Sequence, residues 1–260
     1  MKPSAKTFQE AALACTQRLE RAGFDLVQPL SLPPAGSERP AVWREPWAAK
    51  LLPLWAQSEP VQGFLIGNNR QLWQRFKDAL RADPSLAAQA NPLDSYAVAQ
   101  VEQATDPLTL VGGSAQVWTG YAHTLNPCPL PMTRLADACG LGRLSPVGLV
   151  VHPEFGPWIA LRAVVLVRTQ ETFLSNQVPH PCLGCSAPCA LQARWARGLA
   201  AVRPHRQAQL PLGPVLPSLS ARARRWLAVR DVCPLGTSHR YSPAQISYHY
   251  DKDRTQLMGE

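Results

Sequence analysis

No apolar run in these 260 residues approaches the ~18 that a spanning helix needs, so no membrane helix is expected. The opening Met1 to Phe8 has no apolar segment of the kind a secretory signal carries, and a cytoplasmic chain is expected. A repeat of fixed period is missing too, and low complexity is confined to a Pro- and Leu-rich link at 210–219, which argues against a solenoid or an array. The 26 Lys and Arg exceed the 18 Asp and Glu, for a net charge of +8, yet they form no Lys/Arg block and accompany no aromatic RNA-binding signature. An anionic small molecule or a basic surface accounts for that charge as well as a polyanion does, and nucleic acid is not the expected partner. Seven Cys is an odd number in a chain without an export signal, which disfavours a disulfide framework and favours ligand or packed-thiol roles. What is present, 46% hydrophobic residues, suffices for one substantial core with an appended module.

Phe8, Ala11, Ala12, Cys15, Leu19 and Ala22 fall on one face at helical spacing, which makes Cys15 a packed thiol. The segment from Pro29 to Pro60 is Pro-rich; a short helix over 42–56 is expected there, and Trp43, Trp47 and Trp55 are either core or cover for a planar ligand. Val61 to Ile66 reads as a strand, turned by Gly67-Asn68 into a helix with Leu72, Trp73, Phe76, Ala79 and Leu80 inward. Asn91-Pro92 opens another helix running to about Gln103, with Asp94 in its first turn. A short strand over 107–111 is then expected to lead through Gly112-Gly113-Ser114 into a helix ending near Leu125. The backbone N–H groups of Gly112 and Gly113 would there face a phosphate or amide oxygen, although Gly-Gly-Ser is also a routine turn. A helix over 131–141 carries Cys139. Short helices are expected over 191–201, 220–229 and 242–250, the last marked by the capping pattern Ser242-Pro-Ala-Gln245.

Between them lies a run read as a central hairpin: a β-branched strand 147–151, a reversal from His152 to Pro157, and a longer apolar strand 158–167. Trp158 and Arg162 are four apart, hence on one face of such a strand, and an Arg there must meet an anion, water or a core carboxylate.

Cys182-Leu-Gly-Cys185-Ser-Ala-Pro-Cys189, taken with Cys233-Pro234, is the most specific chemical signal. Ferredoxins hold a cluster with closely spaced Cys and a distant Cys followed by Pro, so these four Cys point to one [4Fe–4S] cluster. Ala193 stands where a second cluster would need a Cys. The alternatives are a structural zinc, less well matched because only one Cys-x-x-Cys pair is present, and no metal at all. Cys128 and Cys139 lie outside the pattern and are expected to pack.

The His-Pro, Phe-Gly, Trp and Arg of the run 148–167, and the tail Arg230-Asp-Val-Cys-Pro-Leu-Gly-Thr-Ser-His-Arg240 through Arg254-Thr-Gln-Leu-Met-Gly259, resemble the CblC-type cobalamin-processing family over most of residues 60–260. The Cys module resembles instead the ferredoxin-like part of epoxyqueuosine reductase and related bacterial iron–sulfur proteins. The first resemblance implies an α/β (α+β) flavin-reductase/nitroreductase-like sandwich around a central antiparallel sheet; the second adds a C-terminal Cys-rich module. The expected organisation is 1–60 as an N-terminal helix and Pro/Trp-rich segment, 61–168 as the core, and 169–260 as the Cys-rich module.

The family resemblance further implies that Arg162, Arg230 and Arg254 bind the carboxylates of glutathione. It also implies that Trp158 packs near the cobalt's upper face and that Gly148 leaves room for the corrin. The family's histidine in the helix after the third strand corresponds to Gln116. The catalytic Asp motif of epoxyqueuosine reductases is not intact. The resulting expectation is a cobalamin-linked reductase passing electrons from one cluster to cobalt, with a redox protein as partner, flavin or glutathione as further candidate ligands, and no catalytic residue assigned. The alternatives are a ferredoxin-like electron-transfer or binding protein without corrin, and an epoxyqueuosine reductase-like enzyme acting on tRNA.

Overall fold

The structure, a computed structural model, describes residues 7–32, 61–112, 117–124, 129–169, 178–198 and 219–257. The helix expected over 42–56 with its three Trp, Gly113, Gln116, Cys128 and most of the 210–219 link lie outside these residues. The described strands are β1 (Leu26–Leu32), β2 (Val61–Asn68), β3 (Val117–Tyr121), β4 (Arg143–Leu144), β5 (Val150–Val151) and β6 (Ala160–Arg168). The helices are α1 (Phe8–Arg21), α2 (Leu72–Ala82), α3 (Pro84–Ala88), α4 (Pro92–Gly112), α5 (Met132–Ala138), α6 (Cys189–Ala196), α7 (Ala221–Asp231) and α8 (Pro243–Asp251). Among the described residues no helix is long and apolar enough to cross a membrane. The chain divides into two compact units, Met1–Leu141 with Ala160–Gln177 and Gly142–Ile159 with Val178–Glu260.

The first unit holds an antiparallel sheet in the order β1-β2-β6-β3. Every residue of β2 is buried, and at Gly63 a Cβ would lie on the carbonyl oxygen of Val165, so only glycine lets these central strands pair. Strand β1 was not foreseen because Pro29 interrupts its pattern; at a sheet edge the missing N–H does no harm. Helix α1 buries the face read from its sequence, and burial pushes the Cys15 thiol up to about 12. A capping box starts it: Thr7 Oγ1 accepts the Glu10 N–H at 3.2 Å, and Glu10 Oε2 accepts the Thr7 N–H at 3.0 Å.

Two expectations are exchanged around residue 110. Residues 107–111 are not a strand; α4 continues through Pro107 to Gly112. Val117 to Tyr121 is not helical but is β3, paired with β6. A proline inside a helix leaves the carbonyl four residues back without its N–H. Here that carbonyl, of Gln103, accepts from Arg18 Nη1 of α1 at 2.8 Å, and Val101, Ala104 and Leu108 are buried around it. Helix α4 thereby keeps its course.

The hairpin over 147–167 is also corrected. Strand β5 pairs with β4, Arg143 opposite Val151, whereas β6 pairs with β2 and β3. The reversal itself is present: His152 and Gly156 exchange backbone hydrogen bonds of 2.9 and 3.0 Å. Trp158 lies before β6 begins and in the other unit from Arg162, so the two share no strand face. Continuous apolarity from 158 to 167 carries no period to mark that boundary.

The second unit packs Trp158, Leu219, Ala223, Leu227, Tyr241 and Ile246 into a core, with Tyr250 against it. Ser220 caps α7 by accepting the Ala223 N–H at 3.1 Å, and its own hydroxyl and N–H donate to the carboxylate of Asp251 at 2.6 Å each. Ser242 caps α8 as read, accepting the Gln245 N–H at 3.2 Å with Pro243 behind it. Helices α6 and α7 lie side by side, with Arg225 over the Trp195 ring at 5.4 Å and Arg197 over the Trp226 ring at 5.9 Å.

Candidate functional site

Within the second unit, Cys182, Cys185, Cys189 and Cys233 all line one cavity of about 240 Å³. Its remaining walls are largely apolar, with Val147, Leu149 and Val151 from β5 and the turn before it, Val229 from α7, and Pro181 and Pro234 among them. Local chemistry places each thiol. The turn at 180–185 is closed by the Leu183 N–H on His180 O at 3.2 Å and the Cys185 N–H on Cys182 O at 3.3 Å, with Gly184 supplying a positive φ of 73°. His180 Nδ1 accepts the Cys182 N–H at 3.3 Å, so the imidazole braces the turn at Cys182. Cys189 is the first residue of α6, and Cys233 follows α7, its N–H on Arg230 O at 3.1 Å.

The Cys233 loop is docked on the His152 turn backbone to backbone. A Cβ on Gly156 would lie 2.1 Å from Leu235 O, and one on Gly236 would lie 2.1 Å from Phe155 O. The Phe-Gly and Leu-Gly pairs of the sequence are therefore two halves of one contact. It is reinforced by rings, with His152 stacked on Phe155 at 4.6 Å and the Phe155 and His239 rings edge to face at 4.7 Å.

Burial pushes the Cys233 thiol up to about 11; the Leu235 N–H acts against this, and the other three cysteines add to it. Cys182 and Cys189 are likewise raised, by burial first and then by their neighbouring cysteines. Thiols buried in an apolar cavity resist ionisation unless a nearby cation compensates, and Cys182, Cys189 and Cys233 are in that position. Among the described residues no three His, Cys, Asp or Glu are gathered closely enough to hold a metal ion. The four cysteines instead share the lining of one cavity.

The other predicted residues take varied positions. Arg162 lies in β6 with its side chain 12% exposed; its Nε donates to Asn68 Oδ1 at 2.8 Å and its Nη1 lies 3.9 Å from Asp94 Oδ1. The carboxylate alternative for its partner is thus realised, and Asp94 also sits 3.9 Å from His123 Nδ1. Arg230 donates to Pro157 O and lies against Tyr241 and Tyr250. Arg254 is exposed in a short 3-10 turn, Arg254–Leu257. Trp158 is 1% exposed, its ring against Tyr241 at 5.6 Å and beneath Arg240 at 5.5 Å. Gly148 has a φ of 83° and nothing within 4 Å of an added Cβ, so a turn conformation rather than a close approach explains it. Gly112 ends a helix instead of starting one and presents carbonyls where free N–H groups were expected. Cys139 packs as foreseen, its thiol pushed up to about 12 by burial.

Asn68, Tyr250 and the Gly156–Gly236 contact were not read from the sequence as parts of any site. The first two carry no motif, and the glycines become meaningful only as a pair.

The chain matches no protein-family model and no curated protein sequence. Among solved structures its fold is similar to that of the C. elegans B12-trafficking protein CblC, a human MMACHC homologue, with a TM-score of 0.60, 12% identity, and coverage of 96% of this chain and 94% of that one. At that identity the likeness is one of fold: a mixed α and β chain built on an antiparallel sheet.

Proposed function

We propose that this chain is a corrinoid-handling iron–sulfur protein, in which Cys182, Cys185, Cys189 and Cys233 hold one [4Fe–4S] cluster. The observation that carries the reading is that four cysteines from two separate stretches of sequence line one apolar cavity. Zinc–thiolate bonds of roughly 2.3 Å would draw four sulfurs to within about 4 Å of one another. A donor set spread around a space of about 240 Å³ suits a body with four attachment points better than a single ion. The likeness in fold to a protein described as B12-trafficking supports cobalamin as the group served.

When bound, such a cluster supplies single electrons at low potential, the currency that reductive chemistry at cobalt requires. The chain's own residues do the rest. The Leu235 N–H, bonded to the Cys233 sulfur, and the apolar walls set the electrostatic environment of the thiolates. The Gly156–Gly236 contact fixes the loop that carries Cys233. Arg162 and Arg230 brace the frameworks of their own units through Asn68, Asp94 and Pro157.

The test is addition of hydroxocobalamin to protein purified without oxygen. A shift of the corrin absorption bands is expected with the wild type, and its absence removes cobalamin from the account. The Cys233→Ser variant is expected to fold, to lose the visible chromophore, and to leave corrin binding intact.

A further inference from the structure

We propose that the outer face of α6 and α7, together with the Cys182–Cys185 turn, docks an acidic protein that carries single electrons. This rests on the reading of the four-cysteine pocket as a cluster site and names what reduces it. Charge is the first support. Arg194, Arg197, Arg222, Arg224 and Arg225 are all exposed on these two helices and their ends. Helix α6 has no acid, and the single acid of α7, Asp231, is its last residue and is held by Arg240 at 2.8 Å. Asp251, near the start of α7, accepts from Ser220.

An apolar centre is the second. Leu183, 79% exposed, lies between Cys182 and Cys185, and Leu191, 52% exposed, lies two residues beyond Cys189. Leu191 and Arg194 are three apart on a helix and share a face. Cys185 is itself exposed, so the rim of the pocket reaches solvent beside this patch. A small apolar patch bordered by charge of one sign is the anatomy of a transient redox interface, where charge steers the encounter and short contact suffices.

The aromatic rings separate a protein partner from RNA. Single-stranded RNA needs open ring faces on which bases stack. Trp195 and Trp226 are partly buried, and Arg225 and Arg197 lie over them. Those stacked guanidiniums also hold the charge in place. In the encounter the reduced carrier gives up one electron to the group held by the four thiolates and leaves oxidised by one; no bond is made or broken.

The experiment uses the full chain purified without oxygen, with reduced plant-type [2Fe–2S] ferredoxin as the acidic probe. Wild type is compared with the double variant Arg194→Glu, Arg222→Glu. The second substitution puts an acid in the first turn of α7, where the helix dipole favours it, so the fold is retained. Affinity for the carrier is expected to fall at least tenfold, the carrier-driven rate of bleaching to fall with it, and the wild-type rate to drop as salt is added. Reduction by dithionite should be equal in both proteins. Equal affinity of wild type and variant, or no binding at low ionic strength, overturns the proposal. So does a single-stranded RNA that displaces the carrier and binds more tightly than it. If the chain holds no cluster, the bleaching signal is lost and the pocket reading fails, while the affinity comparison still decides the docking face.

Discussion

Replacing Gly156 with Ala measures how firmly the His152 turn holds the loop of Cys233. The added Cβ would lie 2.1 Å from Leu235 O and 2.6 Å from the Leu235 carbonyl carbon. Both are well inside the roughly 3.5 Å at which non-bonded carbon contacts become favourable. Backbone cannot rotate away as a side chain can, so the two segments must part. The positive φ of 56° adds about 1–2 kcal/mol for a residue with a Cβ, and forced separation of packed segments adds about 1–3 kcal/mol. The sum, about 2–5 kcal/mol, is a large share of the stability of an ordinary domain. Gly148→Ala is the internal control: it has a positive φ of 83° but open space around the Cβ, and should lose only the conformational part. Urea unfolding of both variants should therefore differ by about 1–3 kcal/mol, and only the position-156 variant should lose metal on purification. Equal losses at the two positions would refute the backbone contact as the element that fixes Cys233.

Arg162→Met should destabilise by about 1.5–3 kcal/mol in chemical denaturation, because it leaves the buried Asn68 Oδ1 without its charged donor. Asp94→Asn should cost less than about 1 kcal/mol, since the pair is long and Asp94 is partly exposed. His152 is held below its ordinary 6.5 by burial, reinforced by His239 and opposed by Glu154, and its Nδ1 accepts the N–H groups of Glu154 and Phe155. Below 6.5 the unfolded chain binds a proton that the folded chain still refuses, so this contribution is complete above pH 6.5 and is lost as pH falls. His152→Asn, which keeps an acceptor without the titration, should flatten that part of the stability profile. In metal-free protein, iodoacetamide followed by peptide mapping should label exposed Cys185 first, Cys233 more slowly, and Cys15 and Cys139 only on unfolding.

Local and strongly periodic features were legible in the sequence: the buried face of α1, the wholly buried β2, the Ser242 cap and the four cysteines. Each is decided within a few residues. The pairing of strands was not legible, because β6 finds β2 and β3 across long stretches of sequence, and hydrophobicity alone names no partner. Strand β3 was misread through its Gly-Gly-Ser approach, although Val117, Trp118, Thr119 and Tyr121 are all strand formers. Helix α4 was ended near Gln103, before Pro107, because the sequence does not show that the Gln103 carbonyl orphaned by this proline is satisfied by an arginine 85 residues away. Trp158, read as a ring available to a ligand, is a buried core residue, 1% exposed, with Arg240 over its ring and Tyr241 against it. At the site, sequence spacing named the four cysteines that line one cavity but not the Gly156–Gly236 docking beside the fourth, since that contact joins turns 80 residues apart.

The most direct test of the four-cysteine pocket is the iron and acid-labile sulfide content, with the visible spectrum, of protein purified without oxygen. The account predicts four iron and four sulfide per chain and a broad absorption band in the blue that reductant bleaches. One equivalent of zinc with no labile sulfide, or a colourless metal-free protein, would contradict it.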